Sequence, residues 1–248
     1  MASLKMIGRL RRMRLDWDRR ARENARHFVV THQADWSDEE FFRSGEVAME
    51  EDILNDLGNI CQGKDPKSMR VIEIGCGAGR MTRAMARFFG EVHAVDISPE
   101  MVRLARQAMA GLGNAFIYRN NGRDLGVLRG SAWKRLVRSA PPRFDFAFSS
   151  MVFQHIPSRR IVESYVRDVA RLLRPGALFK FQVQGNPRVG TEGKNTWVGA
   201  SFTEKDARDM AERCGFDLKY QAGAGDQYYW LWFFNRTPHG AKTLQRSW

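Results

Sequence analysis

The chain is poor in cysteine, and the few it has form no pattern. Cys61, Cys76 and Cys214 are widely spaced among 248 residues, with no C-x-x-C and no Cys/His cluster. That spacing argues against a disulfide framework and against a metal site, and it points to a reducing compartment. No stretch approaches the ~18 apolar residues of a membrane-spanning helix. An apolar signal-peptide core is also missing, because arginines interrupt the region from Arg9 to Arg26. Asp16, Asp18 and Glu23 in that region argue against a mitochondrial presequence, since those are poor in acids. A cytoplasmic location is therefore expected. Acidic residues are also short: 28 Asp and Glu face 40 Lys and Arg, giving a formal charge of +12. A basic balance of this size suits RNA, an anionic membrane or an acidic substrate, or else an ordinary solvated surface. Its denser regions are Arg9 to Arg26 and Arg119 to Arg143 with Lys134.

What is present reads as one α/β domain with helices in front of it. Ile7, Leu10, Met13 and Trp17 make an apolar stripe that Ala21, Ala25 and Phe28 continue at helical spacing. Ser37-Asp38-Glu39-Glu40 is a capping-box start for a short helix. Val47, Ile53, Leu54, Leu57 and Ile60 are expected on one face of a longer helix that ends at the loop from Gln62 to Pro66. From Arg70 the pattern alternates. Strands are expected at Arg70–Ile74, Val92–Asp96, Ala115–Tyr118, Phe144–Phe148 and Ala177–Val183, the fourth after a Pro141-Pro142 break. Helices lie between them; one starts at the Ser98 cap with Pro99 in its first turn. Alternation of this kind argues a parallel sheet covered on both faces. A helix near Thr203 to Arg213 then precedes two apolar segments, Phe216–Gln221 and Tyr228–Phe234, around the turn Ala222-Gly223-Ala224-Gly225. Strands joined by a short turn run antiparallel.

The most specific local feature is the run Val71-Ile72-Glu73-Ile74-Gly75-Cys76-Gly77-Ala78-Gly79-Arg80 followed by Val92-His93-Ala94-Val95-Asp96. An apolar strand enters a glycine turn, a helix begins at once, and a second strand ends in a carboxylate. Units of this kind bind nucleoside cofactors. A dinucleotide fingerprint reads G-x-G-x-x-G. Here the spacing is G-x-G-x-G, with Arg80 where the third dinucleotide glycine would fall.

This arrangement resembles motif I of the class I S-adenosylmethionine (SAM) methyltransferases, and the resemblance covers about Arg70 to Asn235. It implies a doubly wound, mostly parallel seven-stranded sheet whose last strand inserts between the fifth and sixth. It further implies a SAM-binding domain over 69–237. The N-terminal helices lie outside the resemblance and are expected, from their apolar stripe, as a helical cap over residues 1–62, and residues 238–248 as a basic tail. Cofactor contacts are implied for Glu73, Gly75, Cys76, Gly77, Gly79, Asp96, Ile97 and Ser150. Asn121 and Gly122 match the adenine loop by position. His155, in Gln154-His155-Ile156-Pro157 after the fourth strand, is the candidate catalytic base, because imidazole can take a hydroxyl proton near neutral pH. Gln154, Gln184 and Trp197 are candidates for acceptor contact, and Trp36, Phe41, Phe42 and Tyr228 to Trp232 are further aromatic candidates. No metal is expected. The chain has neither an Asn-Pro-Pro-Tyr nor a Pro-Cys motif of the kinds used by nucleic-acid methyltransferases. The acceptor is therefore expected to be a small molecule, with a hydroxyl as one candidate group. The rivals are an RNA methyltransferase and a non-catalytic SAM-binding or partner-binding protein.

Overall fold

In the computed structural model, residues 4–129, 143–191 and 195–236 are described. The Pro141-Pro142 break, part of the Arg119 to Arg143 basic region and the 238–248 tail lie outside the described residues. Helix α1 (Leu4–Val29) kinks at Asn24, where the backbone leaves helical geometry. The Asn24 side chain accepts from the His27 N–H and donates to the Ala34 carbonyl, which fixes the turn of the chain after the kink. Helix α2 (Asp38–Asp52) starts at the expected capping box: Ser37 accepts from the Glu40 N–H, and Glu40 accepts from the Ser37 N–H.

The longer helix over Val47 to Ile60 is not formed. The chain leaves helical geometry at Ile53, passes through a short 3-10 turn, and resumes as α3 (Leu57–Cys61). Val47 is exposed, whereas Met49, Ile53 and Ile60 enter one core cluster with Met85 and Phe89. The break brings residues on both sides of it onto that cluster. It is held from the sheet side, where the Lys180 ammonium donates to the Asp52 carbonyl at 2.6 Å and the Trp232 indole donates to Asp56.

The sheet is made of β1 (Arg70–Ile74), β2 (Glu91–Asp96), β3 (Ala115–Arg119), β4 (Phe144–Ser149), β5 (Leu173–Val183), β6 (Phe216–Ala222) and β7 (Tyr229–Asn235). Their order is β3-β2-β1-β4-β5-β7-β6. The first five are parallel, and β7 is antiparallel to both β5 and β6. The seventh strand is thus inserted between the fifth and sixth, as the resemblance implied. Pro175-Gly176 does not precede the fifth strand but lies within it. Leu173 pairs with Phe144 and Leu178 with Phe146, so the residues between them bulge out. Proline cannot donate to a ladder and Gly176 has φ of +78°, so this dipeptide suits a bulge.

Helices α4 (Arg80–Phe88), α5 (Pro99–Ala108), α6 (Arg159–Leu172) and α7 (Glu204–Cys214) cover the sheet. Thr203 and Asp206 form a second capping box, and Gly215 ends α7 in the left-handed conformation. Helix α2 packs along α4 so closely that a Cβ at Gly45 would collide with the Arg80 carbonyl. Among the described residues no helix is long and apolar enough to cross a membrane.

Candidate active site

Strand order reverses between β1 and β4, and ligands in open α/β sheets bind in the crevice beyond the carboxyl ends of such strands. A cavity of about 340 Å³ lies there. Part of its wall is the glycine turn after β1 together with the end of β2. Gly75 and Gly77 have φ of +77° and +52°, a region costly for residues with a Cβ. An added Cβ at Gly75 would strike Val152, and one at Gly77 would lie 2.7 Å from Val29. Gly79 differs: it does not line the cavity, and its Cβ would meet Met109 and Ala105 instead.

Asp96 is half-buried at the end of β2. Its carboxylate accepts from the Gly77 N–H at 3.0 Å and the Ser98 N–H at 2.8 Å, which orients it and leaves acceptor capacity on both oxygens. Burial pushes its pKa up to about 6 despite those bonds. Glu73 is buried at the end of β1 and accepts from the Thr82 hydroxyl at 2.5 Å. Burial pushes it up to about 7; the Thr82 bond and nearby Arg80 oppose this and Asp96 adds to it. Cys76 is buried against the cavity, and burial raises its thiol well above the usual range.

Because the folded-state pKa of Glu73 lies above its ordinary 4.5, its protonated form favours folding below that pH, and the contribution is lost as pH rises through 7. Glu73→Gln keeps the Thr82 acceptor but carries no charge to bury. It should melt higher than wild type at pH 8, by on the order of 3 kcal/mol at ~1.4 kcal/mol per pH unit, and the gain should vanish near pH 4. Melting curves at the two pH values test this; an equal shift at both would refute the assignment.

The remaining wall is aromatic and comes from three distant segments. Trp17 and Phe28 of α1 meet Trp197, and His155 sits with its ring centre 5.1 Å from Trp17 and 5.2 Å from Trp197. The Arg20 guanidinium stacks over both indoles and donates to the carbonyl and hydroxyl of Thr196. Helix α1 is fastened over the cavity at two further points. Asp16 accepts from the Thr196 hydroxyl, and Asp18 accepts from the Ser98 hydroxyl and from the Glu100 N–H at the start of α5.

His155 belongs to a chain of hydrogen bonds with a single direction. The Met151 N–H donates to Gln182, the Gln182 amide to Gln154 at 2.6 Å, and the Gln154 amide to His155 Nε2 at 3.2 Å. A carbonyl only accepts, so His155 Nδ1 carries the proton toward the Trp197 carbonyl at 2.5 Å and Nε2 is the bare nitrogen. Burial, with nearby Arg20, moves the ring's pKa down to about 4, so the imidazole is neutral. Met151 holds φ of +55°, an uncommon conformation for a side chain of its size and one often found at functional sites.

Of the residues singled out in the sequence, the cavity brings together Glu73, Gly75, Cys76, Gly77, Asp96, Ile97, Ser150, Gln154, His155 and Trp197. It does not include Gly79, Asn121, Gly122 or Gln184. Asn121 is exposed and folds back on its own turn, accepting from the N–H groups of Arg123 and Asp124. Its neighbour Asn120 lines the cavity instead: it is buried, donates to the Tyr165 hydroxyl at 2.7 Å, and has no partner for its Oδ1. Gln184 accepts from the Asn186 N–H and serves the loop after β5. Trp36, Phe41 and Phe42 border a separate hollow against α5. Met13, Trp17, Phe28 and Val29 were missed as cavity residues, since a helical stripe shows that a face is buried but not against what. Among the described residues no cluster of His, Cys, Asp or Glu is arranged to hold a metal ion.

A family model described as a methyltransferase domain matches residues 43–240. The chain belongs to this methyltransferase family. A ubiquinone biosynthesis O-methyltransferase of Xanthomonas axonopodis pv. citri (strain 306) is 29% identical over 113 residues, 45% of this chain and 41% of that protein. The chain thus spans less than half the length of the curated relatives it matches. Among solved structures, magnesium protoporphyrin IX methyltransferase from Synechocystis PCC 6803 with bound S-adenosylhomocysteine has a TM-score of 0.61 at 17% identity, covering 90% of this chain and 97% of that one. The N-methyltransferase NodS from Bradyrhizobium japonicum WM9, also with S-adenosylhomocysteine, has a TM-score of 0.60 at 14% identity, covering 90% and 98%. At these identities the likeness is one of fold. The methyl donor of the family is S-adenosylmethionine, and the residues present fit it: an oriented carboxylate suited to vicinal hydroxyls, a buried unpartnered amide oxygen suited to an amine, and a backbone turn stripped of Cβ atoms.

Proposed function

We propose that this chain transfers the methyl group of S-adenosylmethionine to a small-molecule acceptor bound against the Trp17, Phe28 and Trp197 wall. The observation that carries the reading is a single cavity joining the glycine turn and Asp96 to that aromatic wall and His155. SAM supplies an activated methyl group, so the protein's work is binding, orientation and, for some acceptors, removal of a proton. Asp96 would hold the ribose, Asn120 Oδ1 the adenine amine, and the turn from Gly75 to Gly77 the methionine part. His155 Nε2 would receive a proton if the acceptor is a hydroxyl. A hydroxyl acceptor is the class that the O-methyltransferase relatives suggest. The cavity wall favours a flat apolar acceptor over RNA: among the described residues its only arginine is Arg80, which is buried and bonded to the Ser44 carbonyl.

Calorimetry with SAM tests the donor half. Charge-assisted hydrogen bonds are worth about 1.5–3 kcal/mol, so Asp96→Ala should weaken binding at least about tenfold. The ionised carboxylate is the stronger acceptor, so wild-type affinity should also fall as pH drops through about 6, while Asp96→Asn should show no such dependence. Wild-type affinity in a folded Asp96→Ala variant would sink the assignment. Label from methyl-tritiated SAM appearing in RNA rather than in an extractable small molecule would overturn the acceptor class.

A further inference from the structure

The outer face of α1 is not used by the cavity. Its acids are spent on inward or local contacts: Asp16 on Thr196, and Asp18 on Ser98, Glu100 and Arg22. What remains outside between residues 7 and 19 is basic and apolar. Arg11, Arg12, Arg14 and Arg19 are exposed, and none pairs with a described carboxylate. Ile7 and Leu15 are 53% and 52% exposed. At ~100° per residue these six positions fall within one arc of less than half the helix circumference, with the two apolar side chains between the arginines.

We propose that this face docks on an anionic lipid bilayer. Arginines near such a surface are attracted by its negative potential, and neighbouring apolar side chains gain by entering the interface. The apolar pair decides between polyanions. Duplex phosphates would engage the arginines but gain nothing from Ile7 and Leu15, and a single strand would want an exposed aromatic for stacking. The tryptophan of this segment, Trp17, is turned to the inner face. Docking here would set the wall of the cavity formed by α1 next to the lipid surface, and it holds whether or not the methyl-transfer reading is right.

Co-sedimentation of the full chain with vesicles tests the proposal. Wild type should bind vesicles of equal phosphatidylglycerol and phosphatidylcholine and should not bind phosphatidylcholine alone. Each basic side chain near an anionic surface contributes about fivefold, so the combined Arg11→Glu, Arg12→Glu and Arg14→Glu variant should lose on the order of a hundredfold or more. Ile7→Ser with Leu15→Ser leaves the charge unchanged and should lose about tenfold. Both variants should bind SAM as wild type does in calorimetry, since neither set of side chains lines the cavity. Absence of wild-type binding to the anionic vesicles would overturn the proposal, as would wild-type binding by the arginine variant. Undiminished vesicle binding by the serine variant, with RNA displacing the vesicles, would reassign the face as a general polyanion site.

Discussion

Gly77→Val is expected to leave no measurable SAM binding in a chain whose far-ultraviolet circular dichroism stays close to wild type. Two costs combine at this position. A β-branched residue is forced to φ of +52°, which disfavours it by roughly 1–2 kcal/mol. Its Cβ would also stand 2.7 Å from a Val29 methyl, so α1 would be pushed off the turn even before the larger side chain entered the cavity. Gly79→Ala is the control. It also meets a positive φ, but its new methyl would point to Met109 and Ala105 on the far side, so it should lower the melting temperature and leave SAM affinity intact. Equal loss of affinity in both variants would mean that the turn is merely fragile, and SAM binding by Gly77→Val at wild-type strength would place the cofactor elsewhere.

With a hydroxyl acceptor, His155→Ala is expected to lower turnover by about 10²–10⁴-fold, the usual range for a positioned base, with SAM affinity nearly unchanged. A pKa of about 4 makes the ring a weak base, but a hydroxyl that is gaining a methyl group becomes a far stronger acid, so a weak base suffices late in the transfer. The bare Nε2 is shared with the Gln154 amide, and the acceptor hydroxyl has to displace that amide to reach it. His155→Gln should not rescue turnover, because an amide does not take up the proton. The neutral ring is present above about pH 4, so His155 should impose no acid limb on the rate between pH 5 and 8. Full turnover in both variants, measured where chemistry limits the rate, would remove His155 from the reaction.

The sheet was largely legible in the sequence because its signals are local. Apolar runs bounded by glycine turns marked the strands, and Ser37, Ser98 and Thr203 marked helix starts with side chains that do cap. The errors lie where distant parts decide. Nothing in the pattern from Val47 to Ile60 reveals that Lys180 and Trp232 will hold the chain at a break. Asn120, and not the Asn121 that matches the adenine loop by position, faces the cavity, since an Asn-Gly turn looks alike whichever asparagine points inward. Asn121 is drawn away by N–H groups two and three residues ahead of it, which leaves Asn120 to point at the cavity. Gln184 was expected at the acceptor, but β5 ends at Val183, and past that point side chains no longer alternate across a sheet. The aromatic wall is assembled from α1, the turn after β4 and the loop around Trp197, and contacts over such separations leave no periodicity to read.

Helix α1 walls the cavity, yet the family match begins only at residue 43. The glycine turn, Asp96 and Asn120, where SAM is proposed to bind, therefore lie within the matched domain, while Met13, Trp17, Phe28 and Val29 lie outside it. The two parts meet at Val29, which packs on Gly77. On the proposed reading, exchange of residues 4–28, keeping the Asp18 contact to the start of α5 and Val29 against Gly77, should change which acceptors are taken while SAM affinity stays as in wild type. For engineering, the proposed function would make this segment an exchangeable specificity element on a constant domain.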